Sequence, residues 1–189
     1  MDNNRLAVKR TIEQLELITA ADACVIPMKH GLWSLVDPED MDRFSSFTWT
    51  PSCSKNSRTV YALRMTSRSL GKRSSIFMHR EMLDFPDGLD VDHINGNGLD
   101  NRKCNLRACQ HRENLWNQRS RQGFSSKYKG VRFHKRDRVW SAQISIGSPR
   151  GDGSKASVHL GTFQDEMLAA KAYDKAALEH FGEFAKLNF

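Results

Sequence analysis

The residues best suited to chemistry lie in the stretch VDHINGNGLDNRKCNLRACQHRENLWN, residues 91–117. Asp92 and His93 are adjacent there at the end of a short apolar run, and a polar Gly/Asn loop follows them. A neutral imidazole can accept a proton near neutral pH, and carboxylate and amide oxygens suit Mg²⁺. Phosphodiester hydrolysis needs such a base to activate water and such a cation to stabilise the transition-state charge. An Asp-His pair beside a glycine turn can equally be a turn cap, so spacing alone leaves both interpretations open.

Short elements must position these side chains. We expect Asp92 and His93 to end a strand, NLR (residues 105–107) to form the return strand, and QHRENLWNQ to form a helix. Asn114 and Asn117 then share one helix face, because they are three positions apart. Successive strand residues point to opposite faces. Asp92 and His93 can therefore serve one site only if His93 lies where the strand gives way to the loop.

The chain is basic, and its charge is concentrated. Its 189 residues contain 29 Lys and Arg against 22 Asp and Glu, which gives a net charge of +7 and a pI of about 9.4. Between Arg102 and Trp140 there are 12 Lys and Arg against two acids, Glu113 and Asp137. A solvated basic face is one interpretation of such a run. Aromatic residues lie among these charges, however, which favours contact with nucleic-acid phosphates.

Hydropathy argues against a membrane or secreted protein, and the cysteine pattern disfavours a zinc site or a disulfide. The apolar runs are far shorter than the ~20 residues of a membrane span, and the N-terminus lacks the apolar core of a secretory signal, so we expect no membrane partner. The four cysteines, Cys24, Cys53, Cys104 and Cys109, form no CxxC pair. We therefore expect small buried thiols in a reducing cytoplasm, with a structural zinc or a disulfide as less favoured alternatives.

Composition divides the chain into four stretches. Residues 1–23 are predicted to form an amphipathic helical extension, since apolar residues recur there at helical spacing. Residues 24–118 are rich in short strand-like runs, and the polar segment 119–126 is predicted to be a linker. Residues 127–189 contain three strand-like pieces followed by an alanine-rich helix at about 164–180. The predicted fold class is α+β.

The motifs DHINGNGLDNR, NLR and EN…N resemble the HNH endonuclease motif, in the variant common among phage and intron homing enzymes. The resemblance covers about residues 78–117 and, more weakly, residues 26–49. It implies a ββα-metal fold, in which a strand hairpin precedes a helix. It also implies that His93 is the general base and that Asn105 braces the loop and orients His93.

By the same resemblance, Asp92 and Asn114 hold one divalent cation, with Mg²⁺ the expected ion and Mn²⁺ the alternative. Asn114 stands where the named motif has its last His, as is frequent in this variant, and Gln110 stands where the family usually has Thr. The implied reaction is hydrolysis of a DNA phosphodiester bond that leaves a 5′-phosphate and a 3′-hydroxyl. One site per chain implies that a monomer nicks duplex DNA.

The C-terminal residues 125–189 resemble an AP2/ERF DNA-binding domain, through YKGVRFHKRDRVWSAQI, LGTF, AAKAYDKAA and the terminal LNF. The resemblance implies a three-stranded antiparallel sheet packed on one helix, with the sheet in the DNA major groove. Trp140 either contacts DNA or packs in the core, Arg107 either clamps a phosphate or pairs with an acid, and Asn117 either contacts DNA or caps its helix. The candidate DNA-binding residues are Arg107, Asn117, Lys129, Arg132, Lys135, Arg136, Trp140 and Gln143.

These features predict a metal-dependent endonuclease that acts on double-stranded DNA at a recognised site, as a monomer or weak dimer. Its expected location is the cytoplasm of a bacterium or of a phage-infected host. The alternative is a non-catalytic DNA-binding regulator that retains a degenerate HNH scaffold. An RNA-binding protein is a third interpretation, because basic sheets with aromatic residues also stack RNA bases. The simultaneous presence of Asp92, His93, Asn105 and Asn114 favours the enzyme.

Overall fold

The computed structural model describes residues 23–53, 59–66, 73–118, 125–146 and 156–189. The chain divides into two compact units, one ending at His111 and the other beginning at Arg112. The predicted N-terminal helix falls outside the described residues except for its last position, and so does the predicted linker except for its last two. Among the described residues, no helix combines the length and apolar character that a membrane span requires.

The first unit is built from short antiparallel strands and two one-turn helices. Strand β6 pairs with β7, and two further sheets have the orders β1-β2 and β3-β4-β5. The strands are β1 (Cys24–Pro27), β2 (Trp33–Val36), β3 (Thr50–Ser52), β4 (Tyr61–Met65), β5 (Ser75–Phe77), β6 (Asp90–His93) and β7 (Leu106–Cys109). The helices are α1 (Met41–Ser45) and α2 (Met78–Met82).

One apolar core holds these elements together. Phe44 of α1 and Trp49 are completely buried in it, and the Trp49 indole Nε1 donates to the Phe44 carbonyl at 2.9 Å. Met78 of α2 and Leu99 of the loop between β6 and β7 are also fully buried in this core. The loop is thereby fixed to the rest of the unit, because removing a buried leucine side chain from such a core costs about 2–5 kcal/mol.

The hairpin β6–β7 is the element that carries the candidate catalytic pair. Its antiparallel register sets Asp92 opposite Arg107 and His93 opposite Leu106. Strand β6 ends at His93, which is the position that a shared Asp-His site requires. A single residue, Gln110, separates β7 from helix α3 (His111–Trp116).

The second unit contains a three-stranded antiparallel sheet and one long helix. The sheet has the order β10-β9-β8, and the last helix packs on one of its faces. The helix begins after Asp165, whose carboxylate accepts from the Leu168 backbone N–H and so caps it. These elements are β8 (Val131–His134), β9 (Val139–Ser145), β10 (Ser157–Phe163) and α4 (Glu166–Phe181).

Small residues allow α4 to lie close to the sheet. Ala169, Ala170 and Ala177 of this helix are completely buried. Gly130, just before β8, has a φ of +76°, and a Cβ placed there would lie 2.0 Å from the Tyr173 ring. A larger residue at this position would therefore both strain the backbone and push the helix away.

The fold is mixed α and β with antiparallel sheets and few helices, compatible with the predicted α+β class. The expectation for the thiols is wrong at two positions. Cys53 and Cys104 are exposed, Cys24 is half-buried, and Cys109 alone of the four is buried. A cysteine in a polar turn carries no periodicity signal, so the sequence could not place these two.

Candidate functional site

The loop between β6 and β7 is held by a network of asparagine side chains. Asn105 accepts from the backbone N–H of Asn95 at 3.0 Å, and its Nδ2 donates to Asn95 Oδ1 and to the Asp100 carbonyl at 3.1 and 2.8 Å. Asn95 Oδ1 also accepts from the backbone N–H of Asn97 at 2.7 Å. Asn105 thus braces the loop, while the hydrogen bond to the His93 ring comes from another residue, Asn101.

A buried ion pair closes the same loop. Asp100 has no exposed surface, and its carboxylate receives two hydrogen bonds from Arg102, both at 2.8 Å. Asn95 Nδ2 donates to the same carboxylate at 2.9 Å. The hydrogen bonds to Asp100 raise the pKa of Arg102, so the guanidinium stays charged. Sequence reasoning did not single out Asp100, although the LDNR motif contains it.

The tautomer of His93 follows from its hydrogen bonds. His93 Nε2 lies 3.2 Å from Asn101 Oδ1, and Asn101 Nδ2 donates to Ser34 Oγ at 2.7 Å. Ser34 in turn donates to the Leu99 carbonyl at 3.1 Å. This chain fixes which end of the Asn101 amide is the oxygen, and an amide oxygen can only accept. His93 therefore carries its proton on Nε2, and the basic lone pair is on Nδ1.

Burial keeps the His93 ring neutral. Its side chain is 5% exposed, and the loss of water around the imidazolium lowers the pKa. The Asn101 hydrogen bond and the charges of Asp92 and Asp100 act in the opposite direction without reversing this. A neutral imidazole near pH 7 is the form that a general base needs.

A second histidine and a tyrosine pack around His93. The His93 ring centroid lies 5.1 Å from that of His79 and 5.7 Å from that of Tyr61. Burial, with a smaller contribution from the nearby His93, lowers the pKa of His79 to about 3. Its Nδ1 is buried and has no hydrogen-bond partner among the described residues. Packing of His79 beside the hairpin is what its position in the MHRE run suggests, whereas nothing in the sequence places Tyr61 here, because it comes from a separate element.

Asp92 points toward Arg107. Its Oδ2 accepts from Arg107 Nε and one terminal nitrogen at 3.0 and 2.8 Å, and both side chains are largely buried. Of the two roles left open for Arg107, the structure contains the pairing with an acid. The Asp92 charge also acts on the pKa values of His93 and Tyr61, so the carboxylate lies within electrostatic range of the imidazole.

The donor chemistry of Asp92 and Asn114 suits a hard cation. A carboxylate oxygen and an amide oxygen fit Mg²⁺, which keeps several waters and needs only one or two protein carboxylates. The described residues contain no cluster of three or more His, Cys, Asp or Glu side chains that could form a larger metal site. The hydrogen bonds from Arg107 Nε and its terminal nitrogen both go to one Asp92 oxygen, Oδ2, so a cation bound at Asp92 would lie beside this guanidinium or displace it.

Asn114 lies on α3, and Asn117 follows the last residue of that helix. From Arg112 onward these residues belong to the second unit. Asn114 is half-buried. Asn117 is 7% exposed, and its backbone N–H donates to the Glu113 carbonyl at 3.3 Å. Asn117 therefore continues the helical hydrogen-bonding pattern past the last helical residue, Trp116.

The sheet of the second unit has one face that α4 does not cover. Arg132 faces Ser141 and Gln143 faces His159 in the strand register, whereas Val131, Ala142 and Ile144 pack under the helix. We call the uncovered side the open face. Its exposed polar residues include Arg132, His134, Gln143, His159 and Thr162. His134, His159 and Thr162 were not singled out from the sequence. For His159 and Thr162 the reason is a bulge in β10 that hides the alternation.

Two candidate DNA-binding residues lie away from the open face. Trp140 shares its side of the sheet with Phe133, at 4.8 Å between ring centroids, and packs against the cluster under α4. Of the two roles left open for Trp140, the structure contains the packing one. Lys129 directs its Nζ to the Trp116 carbonyl, and burial lowers its pKa to about 8.

The β8–β9 turn presents the remaining candidates. Lys135 and Arg136 are exposed there, and Arg136 lies 3.7 Å from the carboxylate of its neighbour Asp137. Arg138 closes the turn with a φ of +54°. Two exposed cations at the edge of a sheet can reach phosphates, and the exposed contact with Asp137 holds Arg136 only weakly.

Models of two families match separate parts of the chain. A model of the HNH endonuclease family matches residues 84–115, and a model of the AP2 domain matches residues 126–183. The first match covers the hairpin with Asp92, His93 and Asn114, and the second covers the sheet and α4.

Individual relatives share parts of the sequence. An AP2/ERF and B3 domain-containing protein of Oryza sativa subsp. japonica is 48% identical over 65 residues, which are 34% of this chain and 16% of that protein. An ethylene-responsive transcription factor of Arabidopsis thaliana is 42% identical over 74 residues, 38% of this chain and 16% of that protein. Protein 3.8 of Escherichia phage T7 is 33% identical over 60 residues, 32% of this chain and 50% of that protein. The chain thus spans at most half the length of these relatives. The predicted order is confirmed: the chain carries an HNH endonuclease segment followed by an AP2 domain.

Proposed function

We propose that this protein is a metal-dependent DNA endonuclease that hydrolyses phosphodiester bonds. The observation that carries the proposal is the orientation of His93, a buried, neutral imidazole whose Nε2 is held by Asn101 inside the HNH-matched segment. A turn-capping histidine has no need of such an arrangement, whereas a general base needs one nitrogen fixed and the other basic.

His93 is the general base in this proposal. Its Nδ1 takes a proton from water, and the resulting hydroxide attacks the phosphorus in line with the departing 3′ oxygen. The ring is then an imidazolium with one proton on Nδ1 and one on the Nε2 that Asn101 orients, and the nearby Asp92 charge stabilises it. The departing 3′ oxygen takes its proton from solvent water. The products are a 5′-phosphate and a 3′-hydroxyl. One base per chain means that a monomer cuts one strand.

Asp92 and Asn114 are the residues that would hold a divalent cation, Mg²⁺ or Mn²⁺. Bound there, the ion would supply positive charge that stabilises the extra negative charge of the transition state. The chain itself contributes a largely buried carboxylate at this position, oriented by its contact with Arg107. Asn105 and Asp100 act one step further away, since they fix the loop that follows His93.

The AP2 domain would hold the substrate duplex. Its open face presents Arg132 and Gln143, and the β8–β9 turn presents Lys135 and Arg136. Arginine and glutamine side chains suit guanine and adenine edges in the major groove, and exposed cations suit phosphates. We propose these four residues, with His159 and Thr162, as the DNA contacts.

Nicking of supercoiled plasmid tests the proposal. With Mg²⁺, the parent protein should convert supercoiled plasmid to open circles, and His93→Ala should be slower by at least about a hundredfold. Both proteins should retard duplex DNA equally on a gel, because in this proposal the AP2 domain supplies the DNA contacts. End-labelling should find 5′-phosphates at the nicks. Equal binding with no cleavage by either protein, over Mg²⁺ and Mn²⁺ and many candidate sequences, would reject the nuclease.

The second candidate is a DNA-binding regulator without catalysis. Its support is the Asp92–Arg107 ion pair, which satisfies the carboxylate without a cation. The similar Arabidopsis protein is named as a transcription factor, and its similarity covers a part of this chain comparable in length to the AP2 domain. If the protein is such a regulator, it should bind DNA sequence-selectively, with an affinity that does not depend on Mg²⁺, and it should leave no nicks.

A further inference from the structure

Helix α3 is too short to hold itself in place. It has six residues, and isolated helices of fewer than about 12 residues are marginal in water. It nevertheless carries Asn114, the residue proposed above to complete the cation site. Its position must therefore come from tertiary contacts, and the structure describes those contacts within the second unit.

The first contact is an aromatic stack. The Trp116 ring lies on the Phe181 ring of α4, with centroids 4.6 Å apart and planes 14° from parallel. Trp116 is half-buried and packs against the core cluster of Ile144, Tyr173, Ala176, Ala177 and Phe181. A stacked pair of this kind contributes directional energy beyond the area it buries.

The second contact holds the end of the helix. The Trp116 carbonyl is among those at a helix C-terminus that have no partner within the helix. It accepts from Lys129 Nζ, an ammonium group placed where the helix dipole favours positive charge. Lys129 is partly buried. Burying its ammonium group costs free energy, and the hydrogen bond to the Trp116 carbonyl offsets that cost.

We infer that Trp116 and Lys129 are positioning residues through which the AP2 domain holds the Asn114 helix of the nuclease. The AP2 domain then has two tasks, since it binds the duplex and also fixes one element of the catalytic site. This inference rests on the proposed nuclease function for its effect on catalysis, while the anchoring itself can be measured without cleavage.

Three full-length variants separate anchoring from general packing. Trp116→Ala removes the stack, and Trp116→Phe keeps an aromatic ring on Phe181. Leu115→Ala, at an exposed position of the same helix, is the matched control. Lys129→Met removes the ammonium and keeps the aliphatic length, so it tests the second contact if Trp116→Ala fails to fold.

Cleavage and binding are measured together on plasmid and on short duplex DNA. We expect Trp116→Ala and Lys129→Met to lower kcat by about tenfold or more, since a displacement of about 1 Å is enough for such a loss, with duplex affinity within about twofold of the parent. Trp116→Phe should recover most of the rate, and Leu115→Ala should behave as the parent. Parent-like kcat in both variants would overturn the inference, and so would an equal loss of binding and cleavage.

Hydrogen exchange gives the readout that does not depend on activity. In Trp116→Ala the amides of α3 should exchange about tenfold faster than in the parent, while those of α4 stay protected. Unchanged α3 exchange would reject the anchor whatever the cleavage result. If the parent does not nick DNA but α3 loses protection, the nuclease proposal fails and the anchor stands.

Discussion

At the scale of single residues, the orientation of one imidazole depends on a side chain far away in the sequence. Ser34 and Asn101 are 67 positions apart, yet their hydrogen bond fixes the Asn101 amide and through it the proton of His93. The LDNR motif predicted only that Asn101 lies in the loop. Its role in orienting His93 is visible only in the structure, where β2 packs beside the loop. No pattern in the sequence could have assigned Ser34.

Replacing Asn101 tests this orientation. Asn101→Ala removes the acceptor for Nε2–H, so we expect kcat to fall on the order of 10- to 100-fold, as is usual when a group that orients a functional histidine is lost. Asn101→Asp keeps an acceptor and adds a negative charge, which raises the pKa of His93. The acid limb of the pH–rate profile should then move to higher pH. Full activity in Asn101→Ala would show that the ring needs no such support.

Replacing Arg107 tests the competition for Asp92. Arg107→Met removes the guanidinium that pairs with a buried carboxylate, and breaking such a pair costs about 3–5 kcal/mol. A divalent cation can relieve that cost, so Mn²⁺ should raise the Tm of the variant more than that of the parent. Arg102→Met is the matched control, because Arg102 pairs with Asp100 and its loss should not be rescued by Mn²⁺. Equal Mn²⁺ shifts in parent and Arg107→Met would contradict a cation at Asp92.

At the scale of elements, local patterns predicted where the strands lie better than which face of each strand meets the core. The short apolar runs and the Gly/Asn loop predicted the β6–β7 hairpin, and alanine spacing predicted α4. The partners of Arg107 and Trp140 were left open, because either residue fits a strand face that meets DNA or one that meets the core. Only the register and the position of α4 decide between those faces.

The contact of α2 with the hairpin should make the first unit sensitive to acid. His79 has a pKa of about 3 when folded and about 6.5 when unfolded. Between these values the unfolded chain binds more protons, so the free energy of unfolding falls as the pH drops below 6.5. The contribution of His79 at pH 5 is about 2 kcal/mol.

Urea unfolding at pH 7 and pH 5 measures this effect. His79→Phe keeps a ring between Tyr61 and His93 and removes the titrating group. The variant should lose less stability than the parent between the two pH values. An unchanged difference would mean that the acid sensitivity arises elsewhere.

At the scale of the whole molecule, one short chain contains segments that match two different families. The motif spacing identified both the HNH segment and the AP2 domain in their order, since each motif is local in sequence. The assignment of α3 to the second unit was not predicted. It depends on Trp116 meeting Phe181, a contact between residues 65 positions apart in the chain, which no local pattern records.

The central claim is that the HNH-matched segment cleaves DNA while the AP2 domain binds it. Two variants measured side by side test this claim most directly. His93→Ala and Arg132→Ala are assayed for duplex affinity and for nicking at saturating protein in Mg²⁺. We predict that His93→Ala keeps the parent's affinity and loses cleavage. Arg132→Ala should lose about tenfold in affinity and keep the parent's cleavage rate at saturation. A His93→Ala protein that still nicks at the parent's rate would contradict the account.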